Sequence, residues 1–339
     1  MTKEKSHSFN QTIIREYDIR GVYNETLFDN DAEILGNLFG LEVGKNKTVN
    51  VGYDGRLSSV KLKKKLVKGL LDSGVNVNEV GLVPTPLLYY SCFELVADGG
   101  IVVTGSHNPK NHNGFKIVLN DKPFFGANLI ELSKKAKKFN LKKMNGSVKK
   151  FSLMDKYVKR LIKNFNQKKK INIIWDSGNG AAGDVMKALA ENIDGKYELL
   201  FSEIDGTFPN HHPDPSESKN LVFCKNRLLD LKYNVGFAFD GDGDRLGVID
   251  DKGRAISGDK LLLLLAKEML KSTKCKVIAD VKCSQVLFDE VERLGGEIFM
   301  CKTGHSHVKN NLKKLNADLA GEMSGHIFYA KDYYGFDDA

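Results

Sequence analysis

The run from Phe237 to Arg245, FAFDGDGDR, constrains the chain most strongly. It sets Asp240, Asp242 and Asp244 at alternate positions directly after an apolar segment. A strand over 235–239, followed by a turn on Gly241 and Gly243, brings the three carboxylates around one hard cation. Carboxylate oxygens suit Mg²⁺, which takes octahedral oxygen ligands and leaves positions open for a phosphate. The competing reading is a solvated acidic turn. Against it, the run lacks the later bidentate Glu of a calcium-binding helix-loop-helix, and Arg245 follows the last aspartate at once. A guanidinium there makes sense as a clamp for a phosphoryl group held by the same metal.

At 339 residues the chain is too long for one ordinary core and points to two or three α/β-sized domains. The first ten residues hold no apolar signal-peptide segment, and the apolar run Leu261–Ala266 is far too short to span a bilayer, so a cytoplasmic location is expected. Five cysteines (Cys92, Cys224, Cys275, Cys283, Cys301) form no CxxC pair, which argues for reduced thiols over a disulfide framework or a zinc site. The net charge of +8 comes largely from lysine runs at 61–65, 134–138 and 168–170. These runs have few arginines and no interleaved aromatics, so they read as solvated helix faces and linkers, not as a nucleic-acid footprint. A modest positive field also helps gather anionic small substrates.

Along the chain, EYDIRG (16–21) reads as a short polar turn whose Arg20 could reach a phosphate. A strand over 49–53 is followed by DGR, a helix over 59–73, a strand over 75–83, and a helix opened by Pro84-Thr85-Pro86. That alternation is the signature of a parallel sheet covered by helices. A third strand, 100–104, runs into TGSHNPKNHNGFKIVL. Its loop sits where open α/β sheets keep their ligands, with Gly105 freeing a sharp turn, Ser106 presented at the tip, and Pro109 blocking a helix. Apolar periodicity fades over 134–150, which places a domain boundary near residue 150. A helix over 153–164, a strand over 171–175, the Gly-rich turn Asp176–Gly183 and a strand over 197–201 follow. That turn lacks the GK[ST] of a phosphate loop and the GxGxxG spacing, so it reads as a tight strand-to-helix connection. His211 and His212 could be metal ligands, but a solvated loop pair is the simpler reading. From Gly258 a third α/β unit opens and reaches GEMSGH, residues 321–326, which packs a carboxylate, a hydroxyl and an imidazole between glycines. That composition suits a grip on sugar hydroxyls.

TGSHNP with NGFK, then DGDGDR, then KTGHS and GEMSGH stand in the order and spacing of the α-D-phosphohexomutases, and the chain resembles that family from EYDIRG onward. The resemblance implies three consecutive α/β domains with mixed, mostly parallel sheets covered by helices, at 1–150, 151–257 and 258–339, whose active-site loops converge on a central cleft. It implies that Ser106 is a phosphoserine completing an Mg²⁺ shell with Asp240, Asp242 and Asp244. Arg20 and Lys116 resemble the groups flanking it, with Lys116 moving the proton and His107 as a second candidate. Arg245, Lys282, His305 and His326 resemble substrate-facing residues, and Glu322 and Ser324 the contacts to the sugar's O3 and O4 hydroxyls.

The reaction so implied interconverts a hexose 1-phosphate and its 6-phosphate through a hexose 1,6-bisphosphate. Met323 in GEMSGH resembles the phosphomannomutase/phosphoglucomutase subgroup, whereas phosphoglucosamine mutases tend to carry Gln there. Family members continue into a fourth domain that grips the substrate's other phosphate, so impaired turnover and association through an incomplete third sheet are expected of this chain. The alternatives are a fragment that binds Mg²⁺ and phosphosugar without full turnover, a phosphoglucosamine mutase, and a metal-dependent phosphatase, which the polyol grip disfavours.

Overall fold

The computed structural model describes residues 3–141, 143–163, 165 and 170–339. The chain divides into one unit of Met1–Tyr157 with Asp205–Thr207 and a second of Val158–Ile204 with Phe208–Ala339.

The first unit is built on a seven-stranded sheet. Its spatial order is Ile19–Val22, His112–Leu119, Gly99–Val103, Thr48–Tyr53, Asn76–Leu82 and Val148–Lys150, with Lys122–Pro123 added to His112–Leu119. Pairing is parallel from Gly99–Val103 to Val148–Lys150 and antiparallel on the other side. The GGIVV strand at the centre is buried throughout, as an uninterrupted apolar run requires when both faces are covered. Helix Ser59–Asp72 lays Leu62, Leu66 and Leu70 against the core that also holds Leu35, Phe39, Val49 and Ile101. Each such leucine contributes about 1.5–3 kcal/mol on burial.

The second unit contains two sheets. One runs Gly195–Leu200, Ile171–Asp176, Val235–Phe239, Leu246–Asp250, Ala255–Ile256; the other runs Glu297–Cys301, Lys276–Asp280, Leu319–Gly321, Ile327–Tyr329. In each, parallel pairing gives way to antiparallel pairing once the chain turns back after a site loop. The loops carrying Ser106, Asp240, Lys282, Glu322 and His305 all leave the carboxyl end of a strand that takes part in parallel pairing.

Several expectations need correction. EYDIRG is not simply a turn, because Ile19–Val22 pairs along His112–Leu119 and satisfies its backbone there. The lysine-rich stretch 134–150 is not a plain linker: it ends helix Ala127–Ala136 and supplies strand Val148–Lys150. The helix placed over 153–164 spans Met154–Ile162, and Asn164 lies outside the described residues, as do Lys168 and Lys169. Lysines of the other runs pair with acids, Lys63 with Glu79, Lys65 with Glu33 and Lys135 with Glu42, as helix-face lysines do. No helix among the described residues is long and apolar enough to cross a membrane.

His211 is not solvated but half-buried, and among the described residues it falls in no group of acids and histidines close enough to share a metal ion. Its Nδ1 lies 3.0 Å from the carbonyl oxygen of His212, and its Nε2 lies 3.0 and 3.1 Å from the two carboxylate oxygens of buried Asp176. Both partners only accept, so both ring nitrogens must carry protons and the ring is an imidazolium. Burial works to lower its pKa, but the Asp176 carboxylate outweighs that and raises it. A raised folded-state value means the stabilisation is complete below the unfolded value of about 6.5 and is lost as pH climbs through the folded one. We therefore expect His211→Gln to cost about 1.5–3 kcal/mol near pH 6. The deficit, read from urea unfolding, should shrink as pH rises through the raised folded-state value; a pH-independent deficit would show the ring to be neutral.

Candidate active site

In the first unit one side chain gathers the carbonyls of the Ser106 loop. Arg56, fully buried, donates through its Nη1 to the carbonyls of Pro109 (2.6 Å) and His112 (3.0 Å) and through its Nη2 to those of Ser106 and Asn108 (2.6 Å each). Asp54 balances it with Oδ2 at 3.2 Å from Nε. The same carboxylate accepts from the Gly105 amide at 3.0 Å and from Ser59 Oγ at 2.6 Å. Gly105 is needed for space and not for an unusual turn, since a Cβ there would lie 2.1 Å from Arg56 Nε. It is Ser106 that takes the left-handed backbone, φ 48°, steadied by Thr104 Oγ1 accepting from its amide at 2.8 Å. Ser106 is 3% exposed, so it sits in the floor of the loop and not at a tip. A strained non-glycine residue held this way marks a site the surrounding structure over-determines.

The Ser106 hydroxyl lies 3.3 Å from His107 Nδ1. Arg20 donates to the Thr104 carbonyl at 2.6 Å and pairs with Asp18. Arg20 stands opposite Gly114, and Lys116 lies two residues further along the same strand, so both cations share one face of the sheet. Both are buried.

In the second unit Asp240, Asp242 and Asp244 are fully buried, with one oxygen from each lying within 4.8 Å of the others. Asp240 Oδ1 accepts from the amides of Asp244 (3.0 Å) and Arg245 (3.1 Å), so a ligand shapes its own loop. Three hard oxygen donors gathered out of water fit a divalent cation.

Arg245 turns its Nε to His326 Nε2, 3.0 Å away. Glu322, 1% exposed, accepts from the Gly304 amide at 2.6 Å where helix His305–Leu315 begins. Burial pushes its carboxyl above the ordinary carboxylate range, against the lowering pull of His326. Gly325, φ 93°, brings the loop against Leu246, whose amide donates to its carbonyl at 3.0 Å. A cavity of ≈ 440 Å³ is lined by Lys282, Met323, Ser324, Asp280, Thr303 and Leu246 among others, a size that suits a small polar ligand. His305 stacks on His326, ring centres 5.6 Å apart, and its Nδ1 lies 3.8 Å from Asp337 Oδ2.

Thus Arg20, Ser106, His107 and Lys116 fall in the first unit. Asp240, Asp242, Asp244, Arg245, Lys282, His305, Glu322, Ser324 and His326 fall in the second. Sequence reasoning passed over Asp54 and Arg56 in a DGR it noticed but left without a role. It also missed Asp280, whose carboxylate braces Thr303 Oγ1 (2.9 Å), Cys283 Sγ (3.1 Å) and the Met323 amide (3.4 Å), and Asp337. An acidic residue closing an apolar strand was the only signal for Asp280.

The phosphoglucomutase/phosphomannomutase family matches the chain in three consecutive parts: its alpha/beta/alpha domain I over residues 11–141, domain II over 155–253 and domain III over 257–339. The phosphomannomutase/phosphoglucomutase of Pseudomonas syringae pv. tomato is 43% identical over 330 residues, which cover 96% of this chain and 71% of that protein. The Pseudomonas aeruginosa protein of the same name is 40% identical over 341 residues, covering 100% and 74%. A crystal structure of a phosphoglucomutase/phosphomannomutase family protein from Burkholderia thailandensis matches with a TM-score of 0.91 at 41% identity, covering 97% of this chain and 74% of that one. The chain belongs to the phosphoglucomutase/phosphomannomutase family, the α-D-phosphohexomutases.

Replacing Arg56 by Met leaves four carbonyls and the Asp54 carboxylate without their cation. A loss of about 3–5 kcal/mol is expected from removing one partner of a buried pair. Urea unfolding of the variant measures it, and an unchanged midpoint would show that something else holds the Ser106 loop.

Proposed function

We propose that this chain is a phosphohexomutase that interconverts mannose or glucose 1-phosphate and the 6-phosphate, with Ser106 as the phosphoryl carrier. The observation that carries the reading is Ser106 itself, buried and held in a left-handed backbone by the Arg56 cage. The names of the relatives favour mannose and glucose over glucosamine phosphates and over hydrolysis. We infer a three-part division near residues 150 and 257, and a cytoplasmic location.

In the forward half-reaction the bond between phosphorus and Ser106 Oγ breaks as a substrate hydroxyl oxygen bonds to phosphorus. The hydroxyl proton leaves through Lys116, or through His107 beside Oγ, and Ser106 Oγ recovers a proton. A bisphosphate results, and the reverse transfer of its other phosphoryl group returns phosphoserine and releases the isomer. Arg20 and Lys116 supply positive charge on the serine side, and Arg245 steadies the phosphoryl group. Glu322 and Ser324 hold sugar hydroxyls common to both orientations, with Lys282, His305 and His326 around the ligand. Asp240, Asp242 and Asp244 would hold Mg²⁺. When bound, the ion neutralises charge on the transferring group.

With Mg²⁺, glucose or mannose 1-phosphate and a trace of the 1,6-bisphosphate, 6-phosphate should form and should fall at least about a thousandfold in Ser106→Ala. Equal rates in parent and variant would remove Ser106 from the reaction. Calorimetric titration with Mg²⁺ should show binding weakened on the order of tenfold or more in Asp242→Asn, as expected when a charged ligand is lost. Equal affinity would place the ion elsewhere.

A further inference from the structure

We propose that Asp337 is a positioning residue for Arg245, acting through the ring of His326. The proposal takes the role of Arg245 from the phosphoryl-transfer reading above, while the arrangement itself is one of side-chain geometry.

A guanidinium remains protonated, so Arg245 Nε can only donate, and His326 Nε2 must offer it a lone pair across their 3.0 Å contact. The proton of a neutral ring then sits on Nδ1. That nitrogen faces two carboxylates, Asp337 Oδ2 at 3.1 Å and Asp244 Oδ1 at 3.7 Å. At 3.1 Å the Asp337 carboxylate favours a proton on Nδ1 through its negative charge. Asp244 is farther off and belongs to the cation cradle, which leaves Asp337 as the group that fixes the tautomer.

Asp337 is built for this. It is fully buried, and Lys309, itself buried, donates to its other oxygen at 2.8 Å. Burial alone would raise its carboxyl, yet Lys309, His326 and His305 together hold it well below the usual carboxylate range. Asp244, His326 and Asp337 also lie close enough to take a cation. However, Lys309 already compensates Asp337 and the facing ring nitrogen carries a proton, so the geometry points to support of Arg245 and not to a second metal centre.

Asp337→Asn keeps the shape and removes the charge. Its amide can donate to Nδ1 and move the ring proton to Nε2, which sets an N–H against the Arg245 N–H and turns the guanidinium away. In ¹⁵N-histidine spectra of the whole parent chain, His326, assigned by its loss in His326→Gln, should appear as the Nδ1–H tautomer; in Asp337→Asn it should shift to Nε2–H. The transfer rate should fall about tenfold in Asp337→Asn but less than about twofold when Arg245 is already Ala, because the effect passes through that residue. An Nε2–H ring in the parent would overturn the proposal even if the variant does not fold. So would an equal loss with and without Arg245. A chain with no transfer activity would overturn the functional reading instead, while the spectra would still decide the tautomer.

Discussion

Everything proposed for Ser106 depends on one buried guanidinium. A loop that leaves a strand end without entering a helix keeps carbonyls that must find donors. Here four of them converge on Arg56. One rigid fork therefore replaces the hydrogen bonds that a regular element would have supplied. Two local requirements follow from that choice. Gly105 must lack a Cβ because the guanidinium occupies its place, and Ser106 must take the left-handed turn that the loop then demands. The positive charge is tolerable in the interior because Asp54 sits beside it and also fastens Gly105 and Ser59.

The second unit meets the same need with the opposite sign. Its site loops point amides inward, and buried carboxylates accept them: Asp240 within its own turn, Asp280 at Met323, and Glu322 at Gly304. The two solutions leave different surroundings behind. Against the Ser106 loop lie two buried guanidiniums, Arg56 at the Ser106 carbonyl and Arg20 at the Thr104 carbonyl, an environment suited to an anionic phosphoryl group. Around Asp242 the balance is negative, which suits a cation. On the proposed reading, the charges that fold each loop also prepare it for its ligand.

How much of this the sequence displayed depends on how local each signal is. The strand Val235–Phe239 and the clustering of Asp240, Asp242 and Asp244 could be read because a strand, a turn and its ligands occupy ten consecutive residues. The alternation of strands and helices was legible for the same reason. Arg56 was not, since its partners lie 50 to 56 positions away at Ser106–His112. The burial of Ser106 was hidden too, because a Ser-, Asn- and Gly-rich segment reads as exposed unless the cation beneath it is known. His211 shows the same limit: Asp176 is 35 residues upstream and joins it only when the loop folds back. Motif reading finds groups that act on ligands and misses those that act on the motif.

That distinction also explains why the loop proposed to hold the sugar can be both firm and adaptable. Its firmness resides in the backbone: Asp280 braces Thr303, Cys283 and the Met323 amide, and the Gly325 carbonyl is tied to the strand beginning at Leu246. The side chains on the cavity are less confined, with Lys282 exposed and Ser324 and Met323 half-buried. Glu322 stands between these roles. Its carboxyl is buried and pushed toward the neutral form, yet anchored through the Gly304 amide. A ligand that must be held in two opposite orientations calls for such a division, with a fixed frame of short contacts to shared hydroxyls and mobile charges at the edge. A cavity rigid throughout would favour one orientation, and the slower release of the other would limit turnover.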